Sequence, residues 1–81
     1  MHSKLIKTGE YGYNPFYRLT TYKDYVLVVA LDYNKKEVDR RGFEFDNLEN
    51  LEFYMEEETT CYYASKAREW VVSTKEWKDA L

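Results

Sequence analysis

Between Gly42 and Ser65 the chain has no lysine and no arginine, yet that stretch holds seven carboxylates: Glu44, Asp46, Glu49, Glu52, Glu56, Glu57 and Glu58. Other scarcities narrow what the protein can be. The one histidine, His2, lies at the start of the chain and the one cysteine is Cys61. A four-ligand zinc site therefore lacks donors, no intramolecular disulfide can form, and a Cys61 nucleophile would have no positioned imidazole base. Cys61 reads as a small buried apolar residue. The three glycines make no phosphate cradle, because Gly9 and Gly12 are followed by no Lys-Ser/Thr pair. Glu56-Glu57-Glu58 offers carboxylates but not the alternating oxygen ligands and central glycine of a calcium loop. The longest apolar run, Tyr25 to Leu31, covers seven residues against the roughly 20 that a helix needs to cross a bilayer. Met1-His2-Ser3 begins no apolar signal region. Expected from these lacks are no catalytic residues, no metal, no cofactor, no membrane, and a cytoplasmic location, the host cytoplasm if the protein is virus-encoded.

What the chain does have is aromatic bulk. Nine Tyr, four Phe and two Trp make 19% of its 81 residues, which helps a domain of this size, since such a chain buries only about 60–65% of the surface its unfolded state exposes. A third of the residues are charged and the net charge is −3, so residues 1–81 are expected to fold as one domain rather than remain disordered.

Periodicity sets the elements. Lys4–Lys7 reads as a short strand, Gly9 to Pro15 as a loop, and Phe16–Tyr22 as a strand that Lys23-Asp24 turns into the next. Tyr25–Tyr33 is apolar on both alternating faces, as for a central strand covered on both sides. Asn34-Lys35-Lys36-Glu37 forms a hairpin tip and Val38–Phe45 returns. Asp46 and Glu49 have the spacing of a capping box opening a helix over Asn47–Glu58, with Leu48, Leu51, Tyr54 and Met55 on its apolar stripe and Phe53 among the acids. Thr59–Val72 suits either a helix or a hairpin, with the balance toward helix. Ser73-Thr74-Lys75-Glu76 repeats the capping-box spacing before a short last helix with Trp77, Ala80 and Leu81 inward. The expected fold is α+β: an antiparallel sheet of three to four strands packed against one long and one or two short helices.

Arg41-Gly42-Phe43-Glu44-Phe45 resembles the first half of the RNP1 signature of the RNA-recognition motif, whose domains stack bases on such aromatics. The resemblance covers five positions and departs at Glu44, where the family has Gly or Ala, and at Asp46, where it has an apolar residue. It implies RNA binding and a helix between the first two strands, whereas Phe16–Tyr33 reads as strand, turn, strand. In outline, strand–strand–strand–helix with a basic hairpin is also similar to the arm-type DNA-binding domains of phage integrases.

The acidic helix carries the functional expectation. Glu49, Glu52 and Glu56 stand three and four residues apart without lysine partners and repel one another, while Phe53 and nearby Tyr62 are rings of the kind that anchor interfaces. Glu49, Glu52, Phe53, Glu56, Glu57 and Tyr62 thus form the expected partner-binding set, aimed at a basic groove of a nucleic-acid-handling protein. In size, acidity and lack of chemistry the chain resembles the loose class of nucleic-acid-mimicking inhibitors that phage and other mobile elements use, such as anti-CRISPR-like proteins. Lys35, Lys36, Arg40 and Arg41 make a second, basic surface. A nucleic-acid-binding regulator would use these with Arg18 and stack bases on Tyr17 or Phe43, although the acidic balance weighs against direct nucleic-acid binding. A structural subunit would bury its extra aromatics in a homodimer or larger assembly. A metal-dependent nuclease on Asp39, Glu44 and Asp46 has no supporting spacing.

Overall fold

Alternation along Tyr25–Leu31 dictates the layering of the molecule. Val26, Val28 and Ala30 point to one side, where they join Ile6, Tyr17, Leu19 and Phe43 under the helices, and Tyr25, Leu27, Val29 and Leu31 point to the other. In the computed structural model, which describes residues 1–81, four strands run His2–Lys7 (β1), Phe16–Thr21 (β2), Tyr25–Leu31 (β3) and Glu37–Glu44 (β4). They form an antiparallel meander in the order β1-β2-β3-β4. Three helices follow: Leu48–Glu58 (α1), Cys61–Ser73 (α2) and Lys75–Ala80 (α3). The fold is α+β, with sheet and helices in two layers.

Leu51, Tyr54 and Met55 of α1, Ala64, Ala67 and Val71 of α2, and Trp77 of α3 close one buried cluster against the sheet. The small residues on α2 let it approach closely, and the Thr59-Thr60 connection is too short for anything but an antiparallel helix hairpin. The stretch Thr59–Val72, which suited helix or hairpin, is thus helical from Cys61 onward. No helix is long and apolar enough to cross a membrane.

Several expectations are corrected. The sheet is covered on one face only. Val29 and Leu31, on the uncovered face, are nonetheless 0% and 2% exposed. Register explains this: Leu5, Arg18, Val29 and Arg40 stand opposite one another across the four strands, and Lys7, Phe16, Leu31 and Glu37 form the next row. Arginine stems and a phenylalanine ring beside the central residues take the place of a helix layer.

Neither capping box forms. After β4 the chain passes through a 3₁₀ turn at Phe45–Asn47, so Asp46 falls inside that turn and Asn47 becomes the N-cap, with no side-chain hydrogen bond to the helix. At the second site the Ser73 hydroxyl donates to the Trp70 carbonyl at 2.7 Å and the Thr74 hydroxyl to the Val71 carbonyl at 2.9 Å, so both serve the end of α2. Glu76 turns instead to the Met1 ammonium and the His2 ring, which places His2 in β1 rather than in a loose terminus. Trp77 is buried, but Ala80 and Leu81 are exposed, because the last helix ends before its apolar side returns to the core.

The long β1–β2 loop is tied at both ends. Thr8 and Gly9 donate their backbone N–H groups to the Pro15 carbonyl, and the Tyr13 N–H donates to the Glu58 carbonyl at the C-terminus of α1 at 2.9 Å. Gly9 takes φ of +57°, a left-handed conformation natural to glycine. β4 is an edge strand with a register irregularity opposite Ala30/Leu31 and exposed charge along its length.

Candidate functional site

Helical periodicity places Leu51, Tyr54 and Met55 against the sheet, so the opposite side of α1 must present Glu49, Asn50, Phe53, Glu56 and Glu57, all of them exposed. Phe53 is 62% exposed at the middle of that side. No basic residue occupies the last turn of α1, although Glu56, Glu57 and Glu58 are there and the helix macrodipole is negative at that end. Acid is thus concentrated where it works against helix stability.

The structure separates the expected acidic residues into different roles. Glu52 is partly shielded and accepts a hydrogen bond from Arg68 of α2 at 2.7 Å, so one carboxylate of the set has a basic partner that its own helix does not supply. Glu56 accepts from the Cys61 thiol at 3.2 Å. Glu58, outside the expected set, receives the Tyr17 hydroxyl at 2.8 Å. Glu49 and Glu57 make no ion pair. Tyr62 is 64% exposed, edge-on to Tyr63, with Lys66 over its ring.

Residues not singled out from sequence extend this surface. Glu10, Tyr11 and Tyr13 share a shallow depression with Glu57 and Glu58, and Tyr11 and Tyr13 are 59% and 81% exposed. Glycine-flanked tyrosines in a loop were the available signal; that the loop would dock on the end of α1 was not. On the other flank Phe53, Asn50 and Glu57 line an open groove shared with Arg41 and Glu44 of β4.

The basic surface does not hold together as expected. Arg40 lies opposite Val29 on the uncovered sheet face and Arg41 opposite Val28 on the helix side. Adjacent residues of a strand point apart. Arg40 is paired with Glu37, and that contact holds the Glu37 carboxyl below its ordinary value. Arg41 lies over the rings of Tyr54 and Phe43 at 5.1 and 5.6 Å. Lys35, at φ +61° in the hairpin, sits over the Phe16 ring at 5.4 Å, and Lys36 is exposed. Tyr17 and Phe43 are 0% and 5% exposed and face the helices, so they are closed to base stacking, and the meander has no helix between its first two strands as the RNA-recognition motif would require.

Cys61 is exposed rather than buried, at the first position of α2 with its thiol against Glu56 of α1. Its hydrogen bond to Glu56, with that carboxylate's charge, pushes the thiol pKa up and keeps it protonated. Burial, reinforced by Glu58 against an opposing contribution from Asn14, raises the Tyr17 phenol. Asp39, Glu44 and Asp46 do not converge, and no group of His, Cys, Asp and Glu is placed to hold a metal ion.

No family model, no curated protein and no solved structure matches this chain.

Proposed function

We propose that the chain is a non-catalytic protein-binding module whose α1 face occupies a basic groove that otherwise holds nucleic acid, and so inhibits the protein that owns the groove. The observation that carries this reading is Phe53 standing 62% exposed between Glu49, Glu56 and Glu57, on a helix whose charge is arranged against its own stability. An exposed ring ringed by acid has no use in a monomer's core and every use as an anchor in a cationic pocket.

Charge density supports mimicry. From Glu49 to Glu57 the helix rises about 12 Å, a distance over which one DNA strand presents three to four phosphates at about 3.4 Å each. The face offers Glu49, Glu56 and Glu57, with Glu52 partly compensated by Arg68. Tyr11, Tyr13 and Tyr62 supply further rings at its C-terminal end.

The test is capture from a nuclease-treated bacterial lysate on immobilised protein, with salt elution and duplex DNA as competitor. A basic nucleic-acid-handling protein should be retained, be displaced by DNA, and be lost on a column of the Phe53→Ala or the Glu49→Gln/Glu56→Gln/Glu57→Gln variant. Retention of copies of itself alone, or equal retention by the variants, overturns the proposal.

A further inference from the structure

The uncovered face of the sheet carries the opposite character to α1. Residues directly opposite in an antiparallel pair share a face, so the register assigns Lys7, Arg18 and Arg40 to this side. Lys35 joins them through its position over Phe16. The anions of the same face are Glu37, which is paired with Arg40, and Glu44, with Asp24 beside Tyr25 at one end; against Lys7, Arg18, Arg40 and Lys35 they leave it net positive by one charge on a chain of net charge −3.

Its apolar parts are flat and partly accessible. Phe16 is half-buried, and Tyr25, 39% exposed, stacks on Tyr22 at 4.4 Å with the rings 10° apart. Between the aromatic groups at the two ends of the strands lies the row Leu5, Arg18, Val29, Arg40, with an apolar floor and a guanidinium on either side of its centre.

We propose that this face binds single-stranded nucleic acid, with Arg18, Arg40, Lys7 and Lys35 along the phosphate backbone and Phe16 and Tyr25 stacking bases. Alternating cations and rings on an open platform are the means by which single strands are held without sequence readout, since every base has a π-face and every nucleotide a phosphate. A duplex offers no unstacked base to these rings. A cationic protein groove, the partner assigned to α1, would be repelled here. The two faces lie on opposite sides of the molecule and take ligands of opposite charge, so this proposal goes beyond the function inferred for α1 and does not depend on it.

The experiment is fluorescence anisotropy with a labelled oligothymidylate of about 16 nucleotides, titrated with the protein across salt concentrations. Three to four phosphate contacts at about 0.7 each per decade of salt give a slope of about −2 to −3, or a loss of affinity of about 20- to 50-fold between 50 and 200 mM salt. Arg18→Glu, at an exposed position, should reduce affinity at least about fivefold and flatten the slope by about 0.7, the one phosphate contact it removes. Phe16→Ala should weaken binding without changing the slope, with circular dichroism confirming that the variant folds. Glu49→Gln/Glu56→Gln/Glu57→Gln should still bind through the sheet, which separates this site from the α1 face. Absence of binding at low salt, binding indifferent to Arg18→Glu, a dimer in sedimentation that closes this face, or binding to phosphatidylserine vesicles in place of the oligonucleotide would each overturn the proposal.

Discussion

Leu51 and Phe53 are two residues apart on α1 and have opposite circumstances. Leu51 is 0% exposed within the main cluster and Phe53 is 62% exposed among carboxylates. Leu51→Ala should cost about 2–5 kcal/mol, from lost transfer energy and the cavity left behind. Phe53→Ala should stay within about 0.5 kcal/mol of the parent. Urea denaturation of both variants measures this, and an equal loss would place Phe53 in the core. The amphipathic pattern made this contrast legible in sequence, because 100° per residue separates the two positions by more than half a turn. Cys61 was not legible in the same way. Free cysteine is commonly buried, and its exposure follows from the phase at which α2 starts, which the Thr59-Thr60 connection sets and composition does not reveal.

At the scale of elements, α3 and β1 hold each other through Glu76. Its carboxyl, drawn first by the Met1 ammonium and then by His2, falls from 4.5 to about 2. A group whose folded pKa is depressed stabilises the fold when ionised. The contribution is therefore complete above about pH 4.5 and disappears as pH falls toward 2. Thermal unfolding of Glu76→Gln across this range should show a flatter acid limb than the parent, with the two curves meeting at the lowest pH. Unchanged acid limbs would remove Glu76 from the link. The strands, α1 and α3 were legible in kind and order, since alternation in β2, β3 and β4 and the stripe of α1 are local signals, whereas the residues of α2 fitted a helix or a hairpin until the structure showed Cys61–Ser73 helical. The use of their ends was not. Asp46 and Ser73 had the spacing of caps, but a 3₁₀ turn displaced one, and α2's last carbonyls took the hydroxyl of the other. The double-sided apolarity of β3 implied two covering layers, because sequence does not show that Arg18 and Arg40 flank Val29 from neighbouring strands.

Across the whole molecule, charge is sorted by side. Carboxylates crowd the solvent side of α1 and the end of the β1–β2 loop, while the uncovered sheet face is net positive. Glu49→Gln/Glu56→Gln/Glu57→Gln relieves repulsion along α1 and the opposition of acids to its C-terminal dipole. Its melting temperature should rise by about 1–4 °C, a few tenths of a kcal/mol converted at this size, even as partner capture is lost. A fall in melting temperature would mean that these carboxylates serve the fold. The edge of β4 has a consequence of another kind. Glu37, Asp39, Arg40, Arg41 and Glu44 put a charge at five of its eight positions, and charge along an exposed strand keeps one edge from pairing with another. Apolar replacements there would turn β4 into a template on which copies of this chain add edge to edge.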